Sequence, residues 1–86
     1  MNEKDLFYLI GFVKVSQLRT KTLKALDGSV KIPSEISRET DVRTSQVSGA
    51  LAQLKMKNLV ICINEEANKG RLYKCTPLGL EVVKHL

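Results

Sequence analysis

The stretch "VRTSQVSGALAQL", residues 42–54, sets Arg43, Thr44, Ser45, Gln46, Ser48 and Gln53 around the open side of a segment. Its Val47, Leu51 and Leu54 recur at helical spacing, with Ala50 beside them. Glu and Lys are better helix formers for an open face, so short hydroxyls and amides there point to a different chemistry. Such side chains exchange hydrogen bonds with phosphate oxygens and base edges without the bulk that would hold a helix away from a nucleic-acid groove. Arg43, Thr44 and Ser45, near the helix start, suit phosphates or a first base edge. Gln46, Ser48 and Gln53 suit base edges, because Gln pairs bidentately with adenine as Arg does with guanine. Gly49 and Ala52 would let the backbone come closer still, and Lys55 adds a cation beyond them. The plainer alternative is a solvated polar face with capping hydroxyls.

A second group lies in "NKGR", residues 68–71, where Lys69 and Arg71 sit on a predicted turn and fit a flanking minor groove or backbone. Glu65 and Glu66 just before it would repel phosphate. From Arg43 to Lys74 there are six bases against two acids, a net +4, so most of the excess charge of the chain falls in this half.

Other chemistries find little support. Cys62, Cys75 and His85 are widely separated and form no Cys-x-x-Cys pair, which makes a weak zinc signal, although the two cysteines would face each other across a hairpin. Two cysteines without an export signal read as free thiols. There is no Gly-rich phosphate loop, no paired-acid cleft and no His beside a Ser or Cys in a recognisable signature, so catalysis is not expected. No cofactor and no metal are expected.

The 86 residues suffice for one small domain, and the 14 Lys and Arg against 9 acids give a formal charge of +5. That balance favours an anionic partner without identifying it. No run of about 18 apolar residues occurs, and acids stand in the first residues where a secretory signal has bases. The expectation is a soluble, cytoplasmic protein with no membrane partner.

These residues need elements to hold them. Asn2 and Asp5 fit a helix start, after which Leu6, Leu9, Ile10 and Val13 follow at i, i+3, i+4 and i+7. Phe7, Tyr8, Phe12 and Val15 fill its other sides, so the segment over residues 1–15 is either a core element or a surface covered by a second copy. Ser16 is the N-cap of a second helix, "SQLRTKTLKAL", with Leu18, Thr22, Leu23 and Leu26 inward, Arg19, Lys21 and Lys24 outward, and "DG" at 27–28 ending it. "SVKI" makes a stub of strand. Pro33 then opens the helix "PSEISRET" with Ile36 as its inward anchor and a roughly neutral outer face. After "TDVR", a helix runs from about Thr44 to Lys57 and Asn58 ends it. "LVICIN" and "RLYKCT" form a hairpin around the six-residue loop "EEANKG", with turn chemistry from Asn68 and Gly70. Thr76 and Pro77 open a closing helix, "PLGLEVVKHL", with Leu80, Val82 and Val83 inward.

Two helices joined by a tight turn and followed by a hairpin describe a winged helix-turn-helix, a mainly α fold with a small β-hairpin (α+β). "IPSEISRETDVRTSQVSGALAQLKMKNLV" and "RLYKCTPLG" resemble the small winged helix-turn-helix transcriptional regulators of archaea and bacteria, the broad group of the arsenic-repressor and multiple-antibiotic-resistance types. The resemblance covers roughly residues 16 to 86. "TSQVSGALAQL" matches the recognition helix, "KNLV" stands where Lys-Gly-Leu-Val is usual, and "TPLG" matches the Thr-Pro-x-Gly step into the last helix. Two positions depart from the pattern: Ile32 replaces the usual Thr or Ser before the helix-opening Pro, and Cys75 replaces a usual buried aliphatic.

The expectation is one domain over 1–86, with residues 1–15 as an apolar segment suited to dimerisation, the helix-turn-helix over 33–57, the wing over 59–75 and the last helix over 76–86. The resemblance implies double-stranded DNA binding, usually as a homodimer, with the helix from about Thr44 to Lys57, the third within the residues that the resemblance covers, in the major groove. Two other readings stay open: a winged-helix module that docks another protein, and a general nucleic-acid or chromatin-coating protein that reads charge rather than sequence.

Overall fold

The computed structural model describes residues 3–86, so Asn2, the expected start of the first helix, lies outside the described residues. Helix α1 spans Glu3–Lys14, α2 Gln17–Ala25, α3 Pro33–Thr40, α4 Thr44–Met56 and α5 Pro77–Val83; strands β1, Val60–Cys62, and β2, Tyr73–Cys75, stand between α4 and α5.

Local chemistry accounts for most boundaries. The Ser16 hydroxyl accepts from the Arg19 backbone N–H, which caps α2, and the chain turns away at Gly28 with φ +70°. Pro33 opens α3, where its missing N–H costs nothing. Ile32 in front of it has no acceptor side chain, and only the reciprocal bond is made, from the Ile32 N–H to Glu35 Oε1 at 3.0 Å. Asp41 and Asn58 take the left-handed conformation that ends α3 and α4, with φ of 58° and 60°. The Thr76 hydroxyl accepts from the Gly79 N–H at 2.9 Å and donates to the Asn58 carbonyl at 2.7 Å, so one side chain caps α5 and ties it to the end of α4.

The core is built from one stripe of each element. Leu9, Ile10 and Val13 of α1 meet Leu23 and Leu26 at α2, Ile36 of α3, Val47, Leu51 and Leu54 of α4, and Leu59, Val60, Cys75 and Val82 behind the hairpin. Ile36 and Val47 are fully buried, as their spacing predicts. The Lys31 backbone exchanges hydrogen bonds with Tyr73 at 3.0 and 2.9 Å, so the expected strand stub becomes a single bridge on the outer edge of β2.

Three details differ from the sequence-based expectation. The strands are shorter than "LVICIN" and "RLYKCT", because pairing stops at Cys62 and Tyr73 and only the Ile63 N–H to Leu72 carbonyl bond extends it. Leu80 is exposed rather than inward. Gly79 and Val82 form the buried line of α5, and Leu80 lies about 100° round the helix from Gly79. The helix itself ends at Val83, short of the expected Leu86.

Candidate nucleic-acid interface

Burying Val47, Ala50, Leu51 and Leu54 fixes what α4 presents to the outside. Ser45, Gly49, Ala52 and Met56 lie on the line directly opposite, at i, i+4, i+7 and i+11. Thr44, Ser48 and Lys55 flank that line on one side, and Gln46 and Gln53 on the other. All of the proposed contact residues, Arg43, Thr44, Ser45, Gln46, Ser48, Gly49, Gln53, Lys55, Lys69 and Arg71, are exposed.

The N-terminus of α4 has no side-chain cap. Arg43 occupies that position, and among the described residues Thr44, Ser45, Gln46 and Ser48 make no side-chain hydrogen bond. The capping role that the plainer alternative gave these hydroxyls is therefore not one they perform. The first-turn N–H groups at the helix end and the four short polar side chains beside it are left for an acceptor-rich partner to satisfy.

Other members of the set are held from within. The Lys55 ammonium pairs with the Glu65 carboxylate at the base of the wing, which ties the hairpin to α4 and offsets one charge of each sign. Gln53 Oε1 accepts from the Arg19 guanidinium at 3.0 Å. Arg71 Nε donates to the Ala67 carbonyl at 2.9 Å, and its two terminal nitrogens have no partner among the described residues. The side chains of Lys69 and Arg43 have no hydrogen-bond or ion-pair partner among the described residues.

The wing depends on a residue that sequence reading passed over. Asn64 Oδ1 accepts from the Leu72 N–H at 2.7 Å and Asn64 Nδ2 donates to the Gly70 carbonyl at 3.1 Å, closing the loop that carries Lys69 and Arg71. Gly70 supplies the expected positive φ, +66°, while Asn64 takes the part expected of Asn68. An Asn at the end of a strand, six residues before a Gly, was the available signal.

The cysteines do not face each other. The hairpin register pairs Cys62 with Tyr73 and Cys75 with Val60, and both thiols are free. Burial, with a smaller contribution from the Asp27 carboxylate, pushes the Cys75 thiol up to about 11, so at neutral pH it is a protonated core group. Among the described residues no cluster of three His, Cys, Asp or Glu side chains is arranged to hold a metal ion, and no helix is long and apolar enough to cross a membrane.

No protein-family model matches the chain, and no curated protein sequence matches it. Solved structures do. A point mutant of Lactococcus lactis ZitR superposes with a TM-score of 0.72 at 17% identity, over 81% of this chain and 49% of that one, so this chain spans about half the length of the ZitR protein. The homodimeric winged helix-turn-helix DNA-binding domain of Mycobacterium bovis Mb0332, a possible ArsR-family transcriptional regulator, matches with a TM-score of 0.69 at 20% identity, over 94% of this chain and 71% of that one. The S. aureus MepR–DNA complex matches with a TM-score of 0.69 at 15% identity, over 96% and 70%. Five helices in this order, with an antiparallel hairpin between the fourth and the fifth, give the chain the winged helix-turn-helix fold that these proteins share.

Proposed function

We propose that this protein is a cytoplasmic, sequence-specific double-stranded DNA-binding transcriptional regulator without catalytic activity. It acts as a homodimer, with α4 in the major groove and the 63–72 loop on the flanking groove or backbone. The observation that carries this reading is Gly49. A glycine inside a helix costs about 1 kcal/mol relative to alanine, and nothing lies within 4 Å of the Cβ that alanine would add here. Neither a turn nor an internal contact calls for it, so its small size serves something outside the chain. With Ser45 and Ala52 on the same line and the unpartnered Thr44 and Ser48 beside it, it makes a low polar surface suited to the floor of a groove.

The fold neighbours support the same reading. MepR was solved with DNA, and the Mb0332 domain is a homodimer. In this chain the outer side of α1 and the turn after it supply a surface for pairing, with Phe7, Tyr8 and Val15 at 66%, 58% and 79% exposure. Two copies would place their α4 helices on half-sites about one DNA turn, roughly 34 Å, apart.

The test is fluorescence anisotropy of a labelled duplex pool at about 50 and about 200 mM salt. Arg43, Lys69, Arg71 and their copies in the partner subunit amount to several phosphate contacts, so affinity is expected to fall by orders of magnitude across that range. Absence of binding at the lower salt would overturn the proposal in favour of a protein-docking module. Steep salt dependence with no selectivity among sequences would favour a coating protein.

A further inference from the structure

One guanidinium connects three helices. Arg19 of α2 donates from Nε to the Phe12 carbonyl near the end of α1, at 2.8 Å. Its planar head lies over the Phe12 ring with Cζ 4.1 Å from the centroid. One terminal nitrogen donates to Gln53 Oε1 on α4, at 3.0 Å. The platform beneath it is braced as well. Tyr8 stacks beside Phe12 with centroids 6.5 Å apart, and the Lys57 ammonium stands 5.2 and 5.5 Å from the two rings. A side chain held at its Nε, at its face and at its tip has little rotational freedom left.

This arrangement fixes the hydrogen-bonding sense of Gln53. A guanidinium has donors only, so the amide oxygen, not the nitrogen, turns toward it. Reading adenine at two points requires the opposite availability, an oxygen to accept from N6 together with a nitrogen to donate to N7. We propose that Arg19 is a positioning residue for the reading surface: it holds the Gln53 oxygen on the α2 side and leaves the amide nitrogen outward. Gln53 then acts as a donor to guanine N7 or O6 or to thymine O4, instead of as adenine's two-point partner. The inference rests on the DNA-binding reading and specifies one part of it.

The experiment is operator selection from a randomised duplex library with the full chain, followed by affinity measurements on the selected site and its single-base variants. The proteins compared are wild type, Arg19→Met, Gln53→Ala and the double variant. Methionine keeps an unbranched stem against Phe12 and removes every donor. The base pair whose preference Gln53→Ala abolishes is expected to present an acceptor other than adenine in wild type. Arg19→Met is expected to shift that preference toward adenine by about tenfold, the range of one hydrogen bond to a base edge, and the shift should vanish when Gln53 is also Ala. Weaker binding to all sequences alike, with base preference unchanged, would overturn the proposal, as would a shift that persists in the double variant. A readout without DNA separates this from failure of the DNA reading itself. The Arg19 Nε–H resonance should be protected from exchange in wild type, and the side-chain amide resonances of Gln53 should move in Arg19→Met. If they stay in place, Gln53 is not held by Arg19, whatever the protein binds.

Discussion

At the scale of single residues, Gly49 separates stability from function. Gly49→Ala adds a methyl group into open space on a well-formed helix, so the fold should gain about 1 kcal/mol, or about 5 °C in Tm for a domain of this size. The same methyl stands on the floor of the proposed interface, and duplex affinity should fall about tenfold or more. Thermal melting and anisotropy on the same sample check both; unchanged affinity would remove Gly49 from the interface. Cys75 gives a pH prediction. Its folded-state pKa of about 11 lies above the ordinary thiol value of 9.0, chiefly because burial disfavours the thiolate. Between those values the folded state holds the proton more tightly than the unfolded state does, so this contribution to stability is complete below pH 9 and is lost as pH rises toward 11. Urea midpoints should therefore drop further for wild type than for Cys75→Ala between about pH 8 and about pH 10.

At the scale of elements, the tightest junction is where α5 meets the start of the hairpin. A Cβ built on Gly79 would collide with the Leu59 carbonyl oxygen, which already accepts from the Thr76 N–H at 3.0 Å. The backbone there has to move before any side chain fits. Gly79→Ala should cost about 3 kcal/mol in spite of the better helix propensity of alanine, a loss of roughly 15 °C in Tm. Circular dichroism melting checks it, and a loss under about 1 kcal/mol would mean that α5 shifts without resistance. Gly79 and Gly49 thus differ in kind, since one glycine is required by a contact inside the chain and the other by none.

At the scale of the whole molecule, the described core uses only one side of α1. Leu9, Ile10 and Val13 turn inward, while Phe7, Tyr8 and Val15 remain exposed around Gly11, beside which a Cβ would meet nothing. An exposed apolar stripe with a low point at its centre suits another helix laid across it. Phe7→Glu should convert a dimer to a monomer in sedimentation equilibrium without lowering helix content, and should weaken duplex binding by losing the second half-site. A monomeric wild type at high micromolar concentration would remove the dimer and leave one reading head per DNA site.

The sequence by itself determined the features that depend on a few neighbouring residues. Ser16, Pro33, Asn58 and the Thr76–Pro77 pair marked helix ends because capping and φ preferences are local. Val47, Leu51 and Leu54 gave away the buried side of α4, and therefore the open side with Ser45 and Gly49, because helical period alone relates them. Tertiary structure decided whatever depends on how distant elements meet. Leu80 is apolar, but the closeness of Gly79 to Leu59 sets the rotation of α5 and turns Leu80 outward. The hairpin register, which sets Cys62 against Tyr73 instead of Cys75, follows from which strand residues enter the core. Lys55 pairs with Glu65 and Gln53 with Arg19 across 10 and 34 residues of chain. No periodicity encodes such pairs, because they form only after α1, α2 and the hairpin have packed against the helix that carries Gln53 and Lys55.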